Sequence, residues 1–212
     1  MLDKNAKNQL EKKFKELKNP ISLILFISSK QNVNYCSEFQ NFLEELSLLS
    51  GSKISLKIYS IESDIMRAKQ YNISNAPALI IMGMQKRNLI YHGLPAGHEF
   101  IPFIQTLIDI SKDESLLSKD LKNKINSIDF PVNIKVFVSP TCPYCSAAMK
   151  TAFDFAMINP KITSEVFEVN EFVEIGEKYG VMGVPKTIVN ETLELTGAYP
   201  PDILIGKILE IK

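Results

Sequence analysis

Two cysteines separated by two residues form the motif of this chain that is most informative about chemistry. The motif Cys142-Pro143-Tyr144-Cys145 follows a Val/Ile-rich run that ends at Val138, and helix-forming residues follow it. Two thiols at this spacing in the first turn of a helix can close a small disulfide ring and open it again. Unpaired backbone N–H groups and the helix dipole would stabilise a thiolate at Cys142 and lower its pKa below the roughly 8.5 of a free cysteine. The pattern predicts Cys142 as the nucleophile and Cys145 as the resolving thiol.

Structural zinc is the main alternative for an isolated pair of this kind. Such a site generally needs four protein ligands. The remaining candidates are Cys36, His92 and His98, and none of them forms a second tight pair with a cysteine. We therefore expect a redox site with no metal and no bound cofactor.

The composition is that of an ordinary globular protein. Of the 212 residues, 45% are apolar, and 24 basic residues balance 24 acidic ones. This balance removes any bulk electrostatic argument for binding nucleic acid or an anionic membrane. The charged N-terminus does not resemble a signal peptide, and no apolar run reaches the length of a membrane span. We expect a soluble cytoplasmic protein, in which a pair of this kind is more often catalytic than structural.

The elements that must position the cysteines occur twice. Ile24–Ser28 parallels Lys135–Ser139, and Tyr71–Pro77 parallels Tyr179–Pro185, each about 110 residues later. Each half has the pattern strand, helix, strand, helix, strand, strand, helix. Helical crossovers require parallel strands and a short link requires antiparallel ones, so each half should hold a mixed sheet.

The charged segment Ser111–Asp120 is the expected boundary, which gives units 1–113 and 114–212. In the second unit the pattern predicts a leading helix from about Glu114 to Ser127 and a strand over Val132–Val138. The redox helix should run from Pro143, which suits a first helical position, to about Met157.

These residues resemble the thioredoxin/glutaredoxin pattern: a Cys-Pro-Tyr-Cys helix after the first strand, Gly183–Pro185 before the third, and Thr196-Gly197 after the fourth. Two such units, with Tyr91–Phe100 closing the first, resemble the tandem protein disulfide oxidoreductases of thermophilic archaea and bacteria, also called glutaredoxin-like proteins. The resemblance covers nearly the whole chain. It implies an α/β fold of two tandem thioredoxin-like units, each a mixed four-stranded sheet flanked by helices.

The resemblance also implies roles for the site residues. Cys142 would be the attacking thiol, Cys145 the resolving thiol, and Pro185 a cis-proline beside them. The main chain of Val184 would pair with an extended substrate segment, a small case of strand addition. The dipeptide Pro143-Tyr144 between the thiols is the glutaredoxin-type choice.

The first half departs from this pattern, because Val33–Cys36 keeps only the resolving cysteine. We interpret Cys36 as a buried apolar residue, with a regulatory or mixed-disulfide thiol as the alternative, and the first unit as a scaffold or docking surface. The second half departs at Val136, which stands where thioredoxins have a buried acid. Proton transfer would then involve solvent or another group, and Lys135 and Glu168 are the candidates.

The predicted function is thiol–disulfide exchange, in which the Cys142/Cys145 dithiol reduces, oxidises or isomerises disulfides of protein substrates. One alternative is an electron carrier between a thioredoxin-reductase-like flavoprotein and a peroxidase. The flavoprotein would be a separate chain, since no dinucleotide-binding GxGxxG is present. Further alternatives are a peptide-binding or chaperone-like module, and an iron–sulfur site shared with glutathione. The direction of exchange, the substrate and the oligomeric state do not follow from the sequence.

Overall fold

The computed structural model describes residues 2–85 and 88–211. These residues pack into two compact units. One consists mainly of the chain before residue 86, with Tyr91–Leu94 and Leu107–Glu114. The other consists mainly of the chain from Ser115 onward, with Pro95–Thr106. The assignment of separate roles to residues 1–113 and 114–212 stays a prediction.

The first half of the chain contains a mixed sheet. Its strands have the order β2-β1-β3-β4, and β1 pairs in parallel with β2 and antiparallel with β3. The apolar run that predicts β1 reflects its central place, where both faces of a strand are covered. The elements are α1 (Lys4–Phe14), β1 (Ile21–Ile27), α2 (Val33–Leu49), β2 (Ile54–Ser60), α3 (Ile65–Gln70), β3 (Ala78–Met82), β4 (Asn88–His92), a 3-10 helix (Gly97–Glu99) and α4 (Phe100–Lys112).

The second half repeats this arrangement. Its strands have the order β6-β5-β7-β8, with β5 parallel to β6, and with β7 antiparallel to both β5 and β8. The elements are α5 (Lys119–Asn126), β5 (Val132–Val138), α6 (Cys145–Ile158), β6 (Ile162–Glu168), α7 (Val173–Lys178), β7 (Lys186–Val189), β8 (Leu193–Thr196) and α8 (Pro201–Glu210). The predicted fold class, two tandem units with mixed sheets, is confirmed.

The leading helix of the second half is shorter than the prediction from Glu114. It begins at Lys119, because the hydroxyl of Ser118 accepts the backbone N–H of Leu121 at 3.3 Å and caps the helix there. Leu116 lies outside the helix and is 84% exposed. An N-cap serine inside an apparently periodic pattern therefore set the true boundary.

Buried aromatic rings form part of the core of the second unit. Phe137 on β5 and Phe167 on β6 stack with centroids 5.5 Å apart, and Ile188 on β7 completes the buried cluster. Phe137 in this cluster is the next-to-last residue of β5, so the cluster lies at the strand end from which the cysteine loop begins. Within residues 2–85 and 88–211, no helix combines the length and the apolar character that crossing a membrane requires.

Candidate active site

Cys142 and Cys145 form a disulfide, with their Cα atoms 5.5 Å apart. Cys145 is the first residue of α6 and is fully buried, whereas Cys142 lies in the preceding loop and is partly exposed. An incoming disulfide can therefore reach the sulfur of Cys142 more readily than that of Cys145. This asymmetry is the one that an attacking and a resolving thiol require.

The redox helix begins two residues later than the prediction from Pro143. The backbone N–H of Cys145 donates to the carbonyl of Cys142 at 3.4 Å, a bond across three residues that belongs to a turn. The first α-type bond runs from the N–H of Ala148 to the carbonyl of Tyr144, at 3.5 Å. Pro143 and Tyr144 thus lie in the turn before α6, and Tyr144 is 70% exposed.

A backbone carbonyl from the loop before β7 lies near the sulfur of Cys142. Sγ of Cys142 lies 3.6 Å from the carbonyl oxygen of Val184, and the Val184–Pro185 peptide bond is cis. Val184 is half-buried and Pro185 is buried. The structure thus brings the predicted site residues together at one edge of the second unit, while their roles stay predictions.

The segment before α4 packs against the cysteine loop within the second unit. The N–H of His98 donates to the carbonyl of Pro140 at 2.9 Å. Gly97 has φ of 54°, and a Cβ there would lie 2.2 Å from the same oxygen. Only glycine can bring the backbone so close in this conformation. Residues 97 and 98 therefore hold the loop that leads to Cys142.

The two predicted proton-transfer candidates lie in different places. Glu168 ends β6 beside Val138, next to the cysteine loop, and is 2% exposed. Burial raises the pKa of its carboxyl group, against the opposing effect of hydrogen bonds from the N–H groups of Asn170 and Glu171. Lys135 pairs with Glu191 in the hairpin loop at the other end of β7. Of the two, only Glu168 lies at the strand end from which the cysteine loop begins.

One buried acid near the site has no signal in the sequence. Glu99 is fully buried in the 3-10 helix, directly after the residue that bonds to Pro140. It stands in an irregular segment where no periodicity distinguishes an inward side chain from an outward one. Val136, which stands where thioredoxins have a buried acid, is itself fully buried.

The corresponding region of the first unit is arranged differently. Cys36 is 3% exposed, and its sulfur accepts the N–H of Ser28 at 3.4 Å. The side-chain amide of Asn32 donates to the carbonyl of Ala76 at 3.1 Å, and the peptide bond from Ala76 to Pro77 is cis. The carbonyl of Ala76 corresponds to that of Val184, but it accepts a hydrogen bond from the side chain of Asn32 instead of facing a cysteine sulfur.

The two histidines considered as possible zinc ligands differ in burial. His92 is the last residue of β4 and is buried, and His98 lies in the 3-10 helix and is exposed. Over the described part of the chain, no three His, Cys, Asp or Glu side chains gather as a metal-binding group.

Known proteins resemble both the whole chain and its second half. A family model for the thioredoxin domain matches residues 132–210. The thioredoxin of Methanocaldococcus jannaschii is 33% identical over 78 residues, which are 36% of this chain and 92% of that protein. A protein disulfide oxidoreductase from Aeropyrum pernix superposes with a TM-score of 0.87 at 26% identity, covering 98% of this chain and 93% of the other.

A longer relative matches across both units. An alkyl hydroperoxide reductase protein of Xanthomonas campestris pv. phaseoli is 26% identical over 208 residues, 98% of this chain. The chain spans 37% of the length of that relative. The family model matches the second half of this chain, and a single thioredoxin aligns with 36% of the chain over 92% of the thioredoxin's own length. The Aeropyrum structure superposes on 98% of the chain and therefore covers both units. The chain therefore belongs to the thioredoxin family, as a tandem member in which two thioredoxin-like units follow one another.

Proposed function

We propose that the Cys142/Cys145 pair carries out thiol–disulfide exchange with protein substrates: its dithiol form reduces their disulfides and its disulfide form oxidises their dithiols. The supporting observation is the pairing of one accessible and one buried sulfur directly before and at the start of α6, a helix of 14 residues. Such a position stabilises a thiolate through the helix N-terminus. A cytoplasmic setting, which keeps thiols reduced, is part of the proposal.

The reductive direction has two steps. The thiolate of Cys142 attacks a substrate disulfide, forms a mixed disulfide and releases one substrate thiolate, which takes up a proton. The thiolate of Cys145 then attacks Sγ of Cys142, which restores the internal disulfide and releases the second substrate thiol. Two electrons pass from the protein to the substrate, and the reverse sequence oxidises a dithiol.

Substrate binding is assigned to the main chain of Val184. Its carbonyl lies at the exposed sulfur, so an extended segment paired there would hold its own disulfide close to Cys142. Backbone pairing supplies affinity without requiring a particular substrate sequence. The first unit is assigned a supporting role, because the amide of Asn32 already occupies the corresponding carbonyl.

Removal of the proton from Cys145 is assigned to a buried acid. Glu168 and Glu99 are our candidates, because both are buried, Glu168 lies beside Val138, and Glu99 follows the residue that bonds to Pro140. Glu168→Gln and Glu99→Gln should be compared through the pH dependence of mixed-disulfide resolution. The variant of the acting residue should lose the ionisation that limits resolution at low pH, whereas unchanged profiles in both variants would exclude both acids.

Reduction of insulin with dithiothreitol as the electron source tests the proposal. Cys142→Ser should reduce the rate to background, because it removes the attacking sulfur. Cys145→Ser should instead accumulate mixed disulfides with the substrate, visible by mass spectrometry and cleaved by excess reductant. Full turnover in Cys142→Ser would exclude the proposed chemistry.

A second candidate is an electron carrier serving a peroxidase. It is favoured by the match of 98% of this chain to about a third of an alkyl hydroperoxide reductase protein. The partner would be a separate thioredoxin-reductase-like flavoprotein. Oxidation of NADPH that depends on the flavoprotein, this chain and a peroxidase together would support the carrier role, and efficient turnover of insulin alone would favour the general oxidoreductase.

A further inference from the structure

A buried lysine stands two residues after the carbonyl that faces Cys142. Lys186 opens β7 and is 7% exposed, although lysine is almost never buried unless it is paired. Its ammonium group donates to the carbonyls of Tyr179 and Gly180 at 2.7 and 3.2 Å. It also pairs with the carboxylate of Glu194 at 2.8 Å. Three acceptors therefore fix one ammonium group.

The two carbonyls belong to the end of α7. The N–H of Gly180 donates to the carbonyl of Glu177, and the N–H of Val181 donates to the carbonyl of Gly176, both at 2.9 Å. This is a Schellman ending, with Gly180 at φ of 57°. It satisfies carbonyls inside the helix but leaves those of Tyr179 and Gly180 to be bound from outside, and the ammonium group binds them.

The two bonds from the Lys186 ammonium group to the carbonyls of Tyr179 and Gly180, here called the clasp, close a short loop that contains Val184. The loop leaves α7 at Gly180 and enters β7 at Lys186, so the ammonium contacts tie its two ends together. Inside the loop, Val181 and Val184 pack on the cluster around Phe137. The ammonium–carbonyl bonds and this apolar contact together restrict where the carbonyl of Val184 can lie.

We propose that Lys186 is a positioning residue for protein substrates: it holds the Val184 backbone at the place where an extended segment pairs beside Cys142. The proposal rests on the proposed function and deepens it. Lys186 acts on recognition and leaves the sulfur chemistry alone. Small dithiols, which need no backbone pairing, should react normally without it.

Lys186→Met is the informative variant, since it keeps the apolar stem and removes the ammonium group. Glu194→Gln is its matched control, because it removes the charge of the exposed partner and leaves both carbonyl contacts in place. With insulin as substrate, Lys186→Met should raise KM about tenfold with kcat within about twofold. Its internal disulfide should react with dithiothreitol within twofold of the wild-type rate. Glu194→Gln should change neither.

Hydrogen exchange supplies a readout that does not depend on activity. In the oxidised protein, the amide of Val181, which bonds to the carbonyl of Gly176, should exchange at least tenfold faster in Lys186→Met than in Glu194→Gln, while those of β5 stay unchanged. An unchanged KM for insulin, or equal losses with insulin and dithiothreitol, would overturn the proposal.

Two further outcomes are interpretable. If Lys186→Met does not fold, Lys186→Arg carries the test, because it keeps the charge but replaces the compact ammonium by a planar fork; KM should then rise about threefold with faster exchange in the same loop. If the loop exchanges faster in Lys186→Arg while KM for insulin stays at the wild-type value, the clasp has no positioning role. Should the wild type reduce no protein disulfide, the proposed function fails, and the exchange data still decide whether the clasp exists.

Discussion

At Cys142 and Cys145, the difference in exposure agrees with the roles that the motif predicts. The sulfur of Cys142 is partly exposed and lies near a backbone carbonyl, and that of Cys145 is buried at the start of a helix. A buried cysteine is protected from side reactions until its neighbour holds a mixed disulfide. Cys36 resembles Cys145 in this respect: it is buried, and its sulfur accepts a backbone N–H. This is the environment expected of a cysteine that packs as an apolar residue.

Cys36→Ser should leave insulin reduction nearly unchanged, because the sulfur of Cys36 lies outside the Cys142/Cys145 cycle. Burying a hydroxyl there should cost about 1–3 kcal/mol of unfolding free energy. Turnover assays and urea denaturation of the same preparation measure the two effects. A loss of turnover beyond about tenfold would show that Cys36 takes part in the reaction.

Glu168 should give stability a recognisable pH dependence. Burial raises its pKa above the ordinary value of 4.5, so the folded state favours the neutral carboxyl group. Its contribution to stability is complete below about pH 4.5 and is lost as the pH rises through the raised pKa. In Glu168→Gln the unfolding free energy should therefore decline less from pH 4 to pH 7 than in the wild type. Denaturation curves that shift in parallel across this range would contradict the assignment.

Among the elements, the segment before α4 imposes a tight steric constraint. Gly97→Ala should push the carbonyl of Pro140 away and displace the loop that leads to Cys142. Gly51→Ala is the matched control, because Gly51 has a similar φ of 58° with no heavy atom within 4 Å of a Cβ. The left-handed conformation alone costs roughly 1–2 kcal/mol with a side chain.

Gly97→Ala should therefore lose at least about 1 kcal/mol more unfolding free energy than Gly51→Ala, the excess coming from the contact. Only Gly97→Ala should also slow the alkylation of reduced Cys142 by iodoacetamide. Equal stability losses, with identical alkylation rates, would mean that the segment does not hold the loop.

The elements also show what the sequence could predict. The strand over Val132–Val138 is confirmed at both ends, because five of its seven residues are Val, Ile or Phe, and only Asn133 and Lys135, both half-buried, interrupt the apolar run. The predicted start of the redox helix was wrong, because Pro143 suits the turn before a helix as well as its first position. Neither the approach of Gly97 to Pro140 nor the burial of Glu99 is readable, since both depend on segments more than 40 residues apart or on irregular backbone.

Across the whole molecule, the two units share an architecture, but the carbonyl before the cis-proline has a different neighbour in each. In the second unit the carbonyl before the cis-proline faces Cys142, and in the first it accepts the amide of Asn32. A trapped complex of Cys145→Ser with a disulfide-containing peptide should therefore protect amides of residues 182–186 from hydrogen exchange and leave those of residues 74–78 unprotected. Equal protection in both loops would assign peptide binding to the first unit as well.

The most direct test of the redox assignment is the equilibrium of the Cys142/Cys145 couple against glutathione. Thiol trapping and mass spectrometry across a series of glutathione ratios should show a reversible loss of two hydrogens, with a midpoint near the roughly −200 to −230 mV of glutaredoxins. Cys142→Ser should remove the transition. An intact chain whose two thiols stay reduced, or stay oxidised, at every ratio that glutathione can set would contradict the account.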